Sequence, residues 1–186
     1  MNDKKILTRE VLKVIAVSGI LIGSAFLPTL PMAAGAVIKA WKDINKKDLG
    51  RIIKRLEKQE MIFMEERADG KMAIQITDKG RKRLLEYDFE NIELKTKRRD
   101  GKWRLVIFDI PEDKKNARDV FRRKLLQLDF IRLQDSVFAS AYPCKAEVDF
   151  LCHFLGISDF VTLVSLNKIE RGEQLIWKKY RDFGDN

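Results

Sequence analysis

A long uncharged stretch near the start of the chain constrains its fold more than any other feature. Between Lys13 and Lys39 lie 25 consecutive residues without a charge. Such a stretch must cross a membrane, serve as a signal peptide or be buried in a protein core. Pro28 and Pro31 interrupt it, and proline breaks the hydrogen-bond ladder of a helix. We therefore predict two short buried helices in a cytoplasmic protein, with membrane tethering through residues 13–38 as the alternative.

The charge of the chain is distributed unevenly. The net charge is +9, and residues 1–100 carry 22 Lys or Arg against 15 Asp or Glu, whereas residues 101–186 carry 15 against 13. A basic first part predicts an anionic partner, either nucleic acid or a membrane surface. The two cysteines, Cys144 and Cys152, and the single histidine do not have the spacing of a zinc cluster or a disulfide framework. They fit a reducing cytoplasm and predict no disulfide partner.

The first half predicts three helices followed by a hairpin. The first helix runs from Thr8, as its cap, to Phe26, and the second from about Thr29 to Trp41. The third lies in KKDLGRIIKRLEKQE, where apolar residues recur at helical spacing and form one stripe. The members of this stripe are Leu49, Ile52, Ile53 and Leu56.

A hairpin signal follows the third helix. Two β-rich runs, Ile62 to Arg67 and Lys71 to Thr77, flank Asp69-Gly70, a pair that favours a tight turn. Thr77 or Asp78 can then cap a short basic helix. The order helix, helix, basic helix, hairpin is typical of a winged helix-turn-helix, predicted over residues 1–90.

The winged helix predicts an interface with double-stranded DNA. Its third helix presents cations to the major groove, and its hairpin reaches the flanking backbone. The alternative is a solvated lysine-rich helix beside a structural hairpin. A polar basic linker is expected over residues 91–102. The predicted DNA-binding residues are Lys47, Arg51, Lys54, Arg55 and Lys58 on the helix, Arg67 and Lys71 on the wing, and Arg98 and Arg99 in the linker.

The second half alternates strands and helices. The predicted order βαββαβ is that of a ferredoxin-like domain, expected over residues 103–168, so that the fold class is α+β. Residues 169–186 predict a short amphipathic helix and a tail. The elements are strand Arg104–Ile110, helix Lys114–Leu128, a strand pair within Ile131–Ala141, helix Lys145–Leu155 and strand Phe160–Leu166.

The first of these strands ends on an acid. In WRLVIFDIP, an apolar run leads to Asp109, and Ile110-Pro111 follows. One interpretation is structural: Asp109 orients the turn by bonding nearby backbone amides, and Asp113 caps the next helix. The other is that Asp109 is a ligand for a group outside the chain.

Several motifs resemble known families. The segment VIFDIPEDKKNARDVFRRKLLQLDFIRLQDSVF, residues 106–138, resembles the small CRISPR-associated endonucleases called Cas-two. The PaaX-type transcriptional regulators carry a similar domain together with an N-terminal winged helix. D-G-K-W-R at 100–104 and Y-P-C-K-A-E at 142–147 resemble that group more closely, and I-T-D-K-G at 76–80 extends the resemblance into the first half.

The resemblance implies two functions. The PaaX-type family implies a DNA-binding transcriptional regulator that forms a homodimer through the Cas-two-like domain. It assigns no certain cofactor, and Asp109 and its mate would then be acids of the dimer interface that a divalent cation could bridge without turnover. The nuclease family implies a metal-dependent DNA endonuclease, in which Asp109 from each subunit is the catalytic residue and a ligand of Mg²⁺ or Mn²⁺ at the dimer interface. A hard cation prefers carboxylate oxygens and activates water for hydrolysis, but a single acid per chain is a small ligand set.

Overall fold

The computed structural model describes residues 3–18, 20–22, 46–66, 68 and 72–182. The chain divides into two compact units, Met1–Glu90 and Asn91–Asn186. Both units combine helices with an antiparallel sheet, so the fold class is α+β, as predicted.

The first unit packs helices against a small sheet. Its strands are β1 (Ile20–Ile22), β2 (Ile62–Glu66) and β3 (Met72–Ile76), and they lie side by side in the order β1-β3-β2. Both neighbouring pairs are antiparallel. The described helices of this unit are α1 (Asp3–Ser18), α2 (Lys46–Lys58) and α3 (Asp78–Glu90).

The first helix differs from its prediction. It begins at Asp3 and ends at Ser18, so a helix from Thr8 to Phe26 was wrong at both ends. Ile20–Ile22 forms β1 and pairs with β3, because two β-branched residues of three suit a strand and a partner is available there. The second predicted helix, Thr29 to Trp41, lies outside the described residues.

The core of the first unit collects apolar residues from its helices and strands. The stripe predicted on α2 is confirmed, since Leu49, Ile52 and Leu56 are buried and Ile53 packs beside them. Among the described residues, no helix is both long and apolar enough to cross a membrane. Other buried members of this core are Val11, Leu12 and Ile15 of α1, Ile62, Ile74 and Ile76 of the sheet, and Tyr87 of α3.

The start of α3 lies close to Met61, the residue that precedes β2. The Thr77 amide donates to the Met61 carbonyl at 3.0 Å, and the Thr77 hydroxyl accepts from the Gly80 amide at 3.1 Å. Thr77 thus caps the helix, as predicted. A Cβ atom added to Gly80 would lie 2.1 Å from the Met61 carbonyl oxygen. Only glycine fits at this position without a shift of the backbone.

The second unit is built on a four-stranded antiparallel sheet. Its strands are β4 (Trp103–Phe108), β5 (Ile131–Gln134), β6 (Val137–Ser140) and β7 (Val161–Leu166), in the order β5-β6-β4-β7. Its helices are α4 (Lys115–Gln127), α5 (Lys145–Leu155) and α6 (Glu173–Asp182). Short 3-10 turns occupy Glu112–Lys114 and Ser158–Phe160.

The two faces of this sheet are covered differently. Phe108 contacts Phe121 of α4 edge to face, with ring centroids 5.4 Å apart, so this face carries the main helices. Trp103 lies on the opposite face, where its ring centroid is 4.6 Å from that of Trp177 on α6. The Trp103 indole also donates to the Glu173 carboxylate at 2.7 Å. Helix α6 therefore covers one end of the second face.

Residues 91–102, expected as a linker, belong to the second unit and contact its other residues at several points. The Lys95 amide donates to the buried Glu147 carboxylate at 3.1 Å. The Lys97 ammonium lies 2.5 Å from the Asp129 carboxylate. The Arg99 guanidinium lies 4.2 Å from the ring centroid of Trp177. The segment is without helix or strand, yet these contacts hold it against α5, the end of α4 and α6.

The close approach at Gly80 yields a stability prediction. We expect Gly80→Ala to lower the free energy of unfolding by about 1–3 kcal/mol or more, because a methyl group cannot fit without moving the backbone. The matched control is Gly50→Ala on α2, where a Cβ meets no atom within 4 Å. That change should raise stability by up to about 1 kcal/mol through helix propensity. Urea unfolding followed by circular dichroism measures both, and equal effects of the two variants would contradict the packing explanation.

Candidate nucleic-acid interface and the Asp109 groove

Helix α2 presents cations on the side opposite its buried stripe. Arg51, Lys54, Arg55 and Lys58 are exposed, and they recur at helical spacing. The apolar stripe anchors the helix in the core of the first unit, so the opposite side faces solvent. Four cations along about two turns can bind phosphate groups of a nucleic acid. The side chain of Lys47 lies outside the described part of the chain.

Arg55 also contacts the neighbouring helix α1. Its guanidinium donates a hydrogen bond to the hydroxyl of Thr8, which belongs to α1 and is 4% exposed. A contact between side chains 47 positions apart leaves no signal in helical periodicity, and the sequence had predicted only a DNA contact for Arg55.

Helix α1 is also tied to α3. The Arg9 guanidinium donates to the Asp88 carboxylate at 2.8 Å, and the Lys13 ammonium lies 3.5 Å from the same carboxylate. These pairs are partly solvated, and each contributes at most about 1 kcal/mol. Together with the Thr8 contact, they connect α1 to both of the other described helices of the unit.

The two cations predicted on the wing, Arg67 and Lys71, lie outside the described residues, whereas the strands β2 and β3 that flank them are described. Glu65 and Glu66 at the end of β2 are exposed. Because carboxylates repel phosphates, these two positions are poor DNA contacts, and the cations predicted beyond them must carry any wing contact.

The linker cations are exposed but placed in different surroundings. Arg98 is exposed, and its backbone amide donates to the Thr96 hydroxyl at 3.1 Å. Arg99 stacks over Trp177, as described above. An arginine on an aromatic face keeps its charge at the surface, so both residues still present cations to solvent.

Asp109 follows directly on β4, and its backbone is held on both sides. Its amide donates to the Phe160 carbonyl at 3.0 Å, and the next carbonyl, that of Ile110, accepts from Arg118 at 3.2 Å. The Asp109 carboxylate is exposed and makes no hydrogen bond or ion pair with the described residues. The backbone is therefore fixed while the acid itself faces outward.

The structural interpretation of the two acids after β4 was wrong. The cap position of the 3-10 turn is Pro111 and that of α4 is Lys114, and neither helix start has a side-chain cap bond. Asp113 consequently does not cap the helix, and Asp109 does not bond nearby amides. The turn is held instead by Arg118, whose second contact is the Glu112 carboxylate at 2.8 Å.

A shallow groove of about 400 Å³ runs past Asp109. It contains a second acid, Asp159, which the sequence analysis did not consider. The pairing of β4 with β7 explains the proximity, because Phe108 lies opposite Val161 and the antiparallel register carries on to the next residues. Phe160 thus lies opposite Asp109, and Asp159 precedes it in the chain. The groove is lined by Ile107, Phe108, Asp109, Asp159, Phe160 and Thr162.

The groove contains carboxylate oxygens, which are the ligands that a hard cation prefers, but it contains few of them. Mg²⁺ and Mn²⁺ bind carboxylate oxygens and often keep several water ligands. Within the described part of the chain, no group of three or more His, Cys, Asp or Glu is positioned to hold a metal. The described lining of the groove offers two carboxylates, and a cation there would depend on water, on a bound phosphate or on a second chain.

The cysteines are not candidate nucleophiles. Both are buried, and burial raises the pKa of the Cys144 thiol to about 12 and that of Cys152 to about 11. A thiol with a raised pKa carries little thiolate at neutral pH and reacts slowly.

In the second unit, strands and helices alternate as βαββαβ. Its first strand, β4, occupies an inner position of the sheet and leads to the exposed carboxylate of Asp109.

Residues 96–175 match the family described as the PaaX protein central Cas2-like domain. This match confirms, over these residues, the resemblance to the PaaX-type family inferred from the sequence. The first unit lies outside the matched range. A search of curated proteins found no match to the chain.

Proposed function

We propose that this protein is a DNA-binding transcriptional regulator of the PaaX type. In this proposal the first unit is a winged helix-turn-helix that binds double-stranded DNA, and the second is a ferredoxin-like domain that forms a homodimer. The observation that carries the proposal is the exposed cationic side of α2, on a helix anchored by its buried stripe.

The topology of the first unit supports the winged helix. A helix precedes a short strand, α2 follows later in the chain, and the β2–β3 pair comes directly after it. The short strand β1 joins that pair as a third strand through β3. In a winged helix this arrangement holds the recognition helix beside the hairpin, so that helix and wing reach adjacent parts of a duplex.

The electrostatics of α2 support a nucleic acid as the partner. Lys54 and Lys58 are exposed one turn apart, and no ion pair links either of them to another described residue. Lysines placed in this way neutralise phosphates and release counterions from the duplex. Sequence specificity would come from base-edge contacts of the same helix.

The second unit supports a homodimer. Ile107 lies on the sheet face that α6 covers only at its Trp103 end, and its side chain is 40% exposed. Its partners across the sheet, Val137 and Thr162, are on the same face. An apolar face at this end suits a second copy of the domain, and a two-fold dimer carries two α2 helices for two half-sites.

The DNA interface leads to a first prediction. Lys54→Ala and Lys58→Ala should each weaken binding to a duplex of random sequence and reduce the slope of log affinity against log salt by about 0.9. Lys82→Ala is the matched control, an exposed lysine of the same unit on α3 rather than α2. Fluorescence anisotropy over a salt series measures the slopes. If all three variants retained the slope of the unaltered chain, α2 would not be the DNA-binding element.

The dimer leads to a second prediction. Ile107→Lys should shift the protein from dimer to monomer, because a charge on an apolar interface is costly to bury. Leu126→Lys is the control, since Leu126 is 51% exposed and lies on α4 rather than on the sheet. Size-exclusion chromatography with light scattering gives the masses. A dimer that survives Ile107→Lys would place the interface elsewhere.

A second function, a metal-dependent DNA endonuclease, is favoured by one observation. The Asp109 carboxylate faces outward without a partner among the described residues, in a groove that also contains Asp159. With Mg²⁺ or Mn²⁺ bound, two such acids would hold the cation and place it at a scissile phosphate. The metal would supply charge neutralisation and a nucleophilic water.

Cleavage assays distinguish the two functions. As a regulator, the protein should not cut duplex or single-stranded DNA with Mg²⁺, Mn²⁺ or EDTA. Metal-dependent cutting that is lost in Asp109→Asn and Asp159→Asn would instead establish the endonuclease. Asp113→Asn is the control, an exposed acid of the neighbouring turn that does not line the groove. Cutting that survives all three changes would indicate a contaminating nuclease.

A further inference from the structure

We propose that Arg55 is a positioning residue that fixes the DNA-binding helix α2 on α1, and that the hydroxyl of Thr8 is its partner. This inference rests on the proposed DNA-binding function. It assigns to Arg55 a role different from that of the lysines on the same helix, and it gives Thr8 a part in DNA binding although Thr8 cannot itself contact DNA.

The first observation is the location of Thr8. It lies inside α1 and is 4% exposed, and it shares a helix face with Val11, Leu12 and Ile15, which belong to the core. A hydroxyl at a core position needs a hydrogen-bond partner, because an unsatisfied buried polar group is destabilising. The Arg55 guanidinium, on the neighbouring helix α2, is one such partner.

The second observation is the location of Arg55 on α2. With about 100° between successive residues, Arg55 lies about 60° around the helix from buried Ile52 and about 60° from exposed Lys58. It therefore occupies the margin between the buried and the cationic sides of the helix. From this margin a long side chain reaches the neighbouring helix, and Arg55 does so in reaching Thr8.

The third observation is that α1 is itself held in place. Arg9 and Lys13 bind Asp88 of α3, and α1 also packs against β3. The contact between Thr8 and Arg55 thus joins α2 to a helix with independent anchors. A hydrogen bond between a charged donor and a partly buried hydroxyl is directional, so it restricts rotation of α2 about its own axis.

Rotation of α2 matters for DNA binding because base and phosphate contacts require several side chains to fit at once. Loss of the Thr8 hydroxyl should then weaken DNA binding without removing any charge. Loss of Arg55 should weaken binding to a similar extent. A direct phosphate contact by Arg55 would behave differently, because its removal would reduce the salt slope by about 0.9.

The test measures DNA affinity of the full chain over a salt series for four variants. Thr8→Val removes the hydroxyl at nearly constant volume, Thr8→Ser keeps it, Arg55→Gln removes the charge, and the fourth combines Thr8→Val with Arg55→Gln. We expect Thr8→Val and Arg55→Gln each to weaken binding about tenfold with unchanged slope, as for the loss of one hydrogen bond to a charged group. The combined variant should bind no more weakly than either single one, and Thr8→Ser should bind like the unaltered chain.

Other outcomes overturn the inference. If Arg55→Gln reduced the salt slope by about 0.9 while Thr8→Val bound normally, Arg55 would be a phosphate contact and the positioning role would be wrong. Additive losses in the combined variant would also contradict it. Circular dichroism verifies folding, and should Thr8→Val fail to fold, the slope of Arg55→Gln decides the matter. An unaltered chain that binds no DNA would overturn the proposed function as well, and that result is distinct from the others.

Discussion

The pairing of β4 on both of its edges is the constraint on which the second unit depends. Residues of β4 bond to β6 on one side and to β7 on the other, so the strand is fixed along its whole length. Its alternate side chains then point to a helix-covered face, through Phe108, and to a partly covered one, through Trp103 and Ile107. The same pairing delivers Asp109 to the edge of a groove and places Asp159 in that groove with it.

The spacing of apolar residues was sufficient to predict the helices and strands that turn one apolar side toward a core. The stripe of α2 and the alternation of strands and helices after Trp103 follow from spacing, because a helix or a strand must turn its apolar side toward a core. Strand β1 was missed because its partner β3 lies about 50 residues further along the chain. Local propensity cannot detect such a partner, and an apolar run of three residues reads equally well as the end of a helix.

In the candidate sites too, features set by local spacing could be predicted, whereas features set by distant partners could not. Exposure of Lys54 and Lys58 could be predicted, since it depends only on their angle from the buried stripe. The bond from Arg55 to Thr8 and the proximity of Asp159 to Asp109 depend on tertiary packing and strand register. The expected capping role of Asp109 and Asp113 was wrong because Arg118, more than one helical turn further along the chain, secures the turn by reaching back to the Ile110 carbonyl.

Strand β2 has one further consequence, which concerns the behaviour of the protein at high concentration. Among the described strands it is an outer strand of the order β1-β3-β2, and an outer strand offers backbone groups to other molecules. Its side chains include Phe63, which is 44% exposed and would favour self-association, but Glu65 and Glu66 follow on the same strand and are also exposed. Two neighbouring carboxylates repel their counterparts on a second copy, so they oppose edge-to-edge aggregation of this chain.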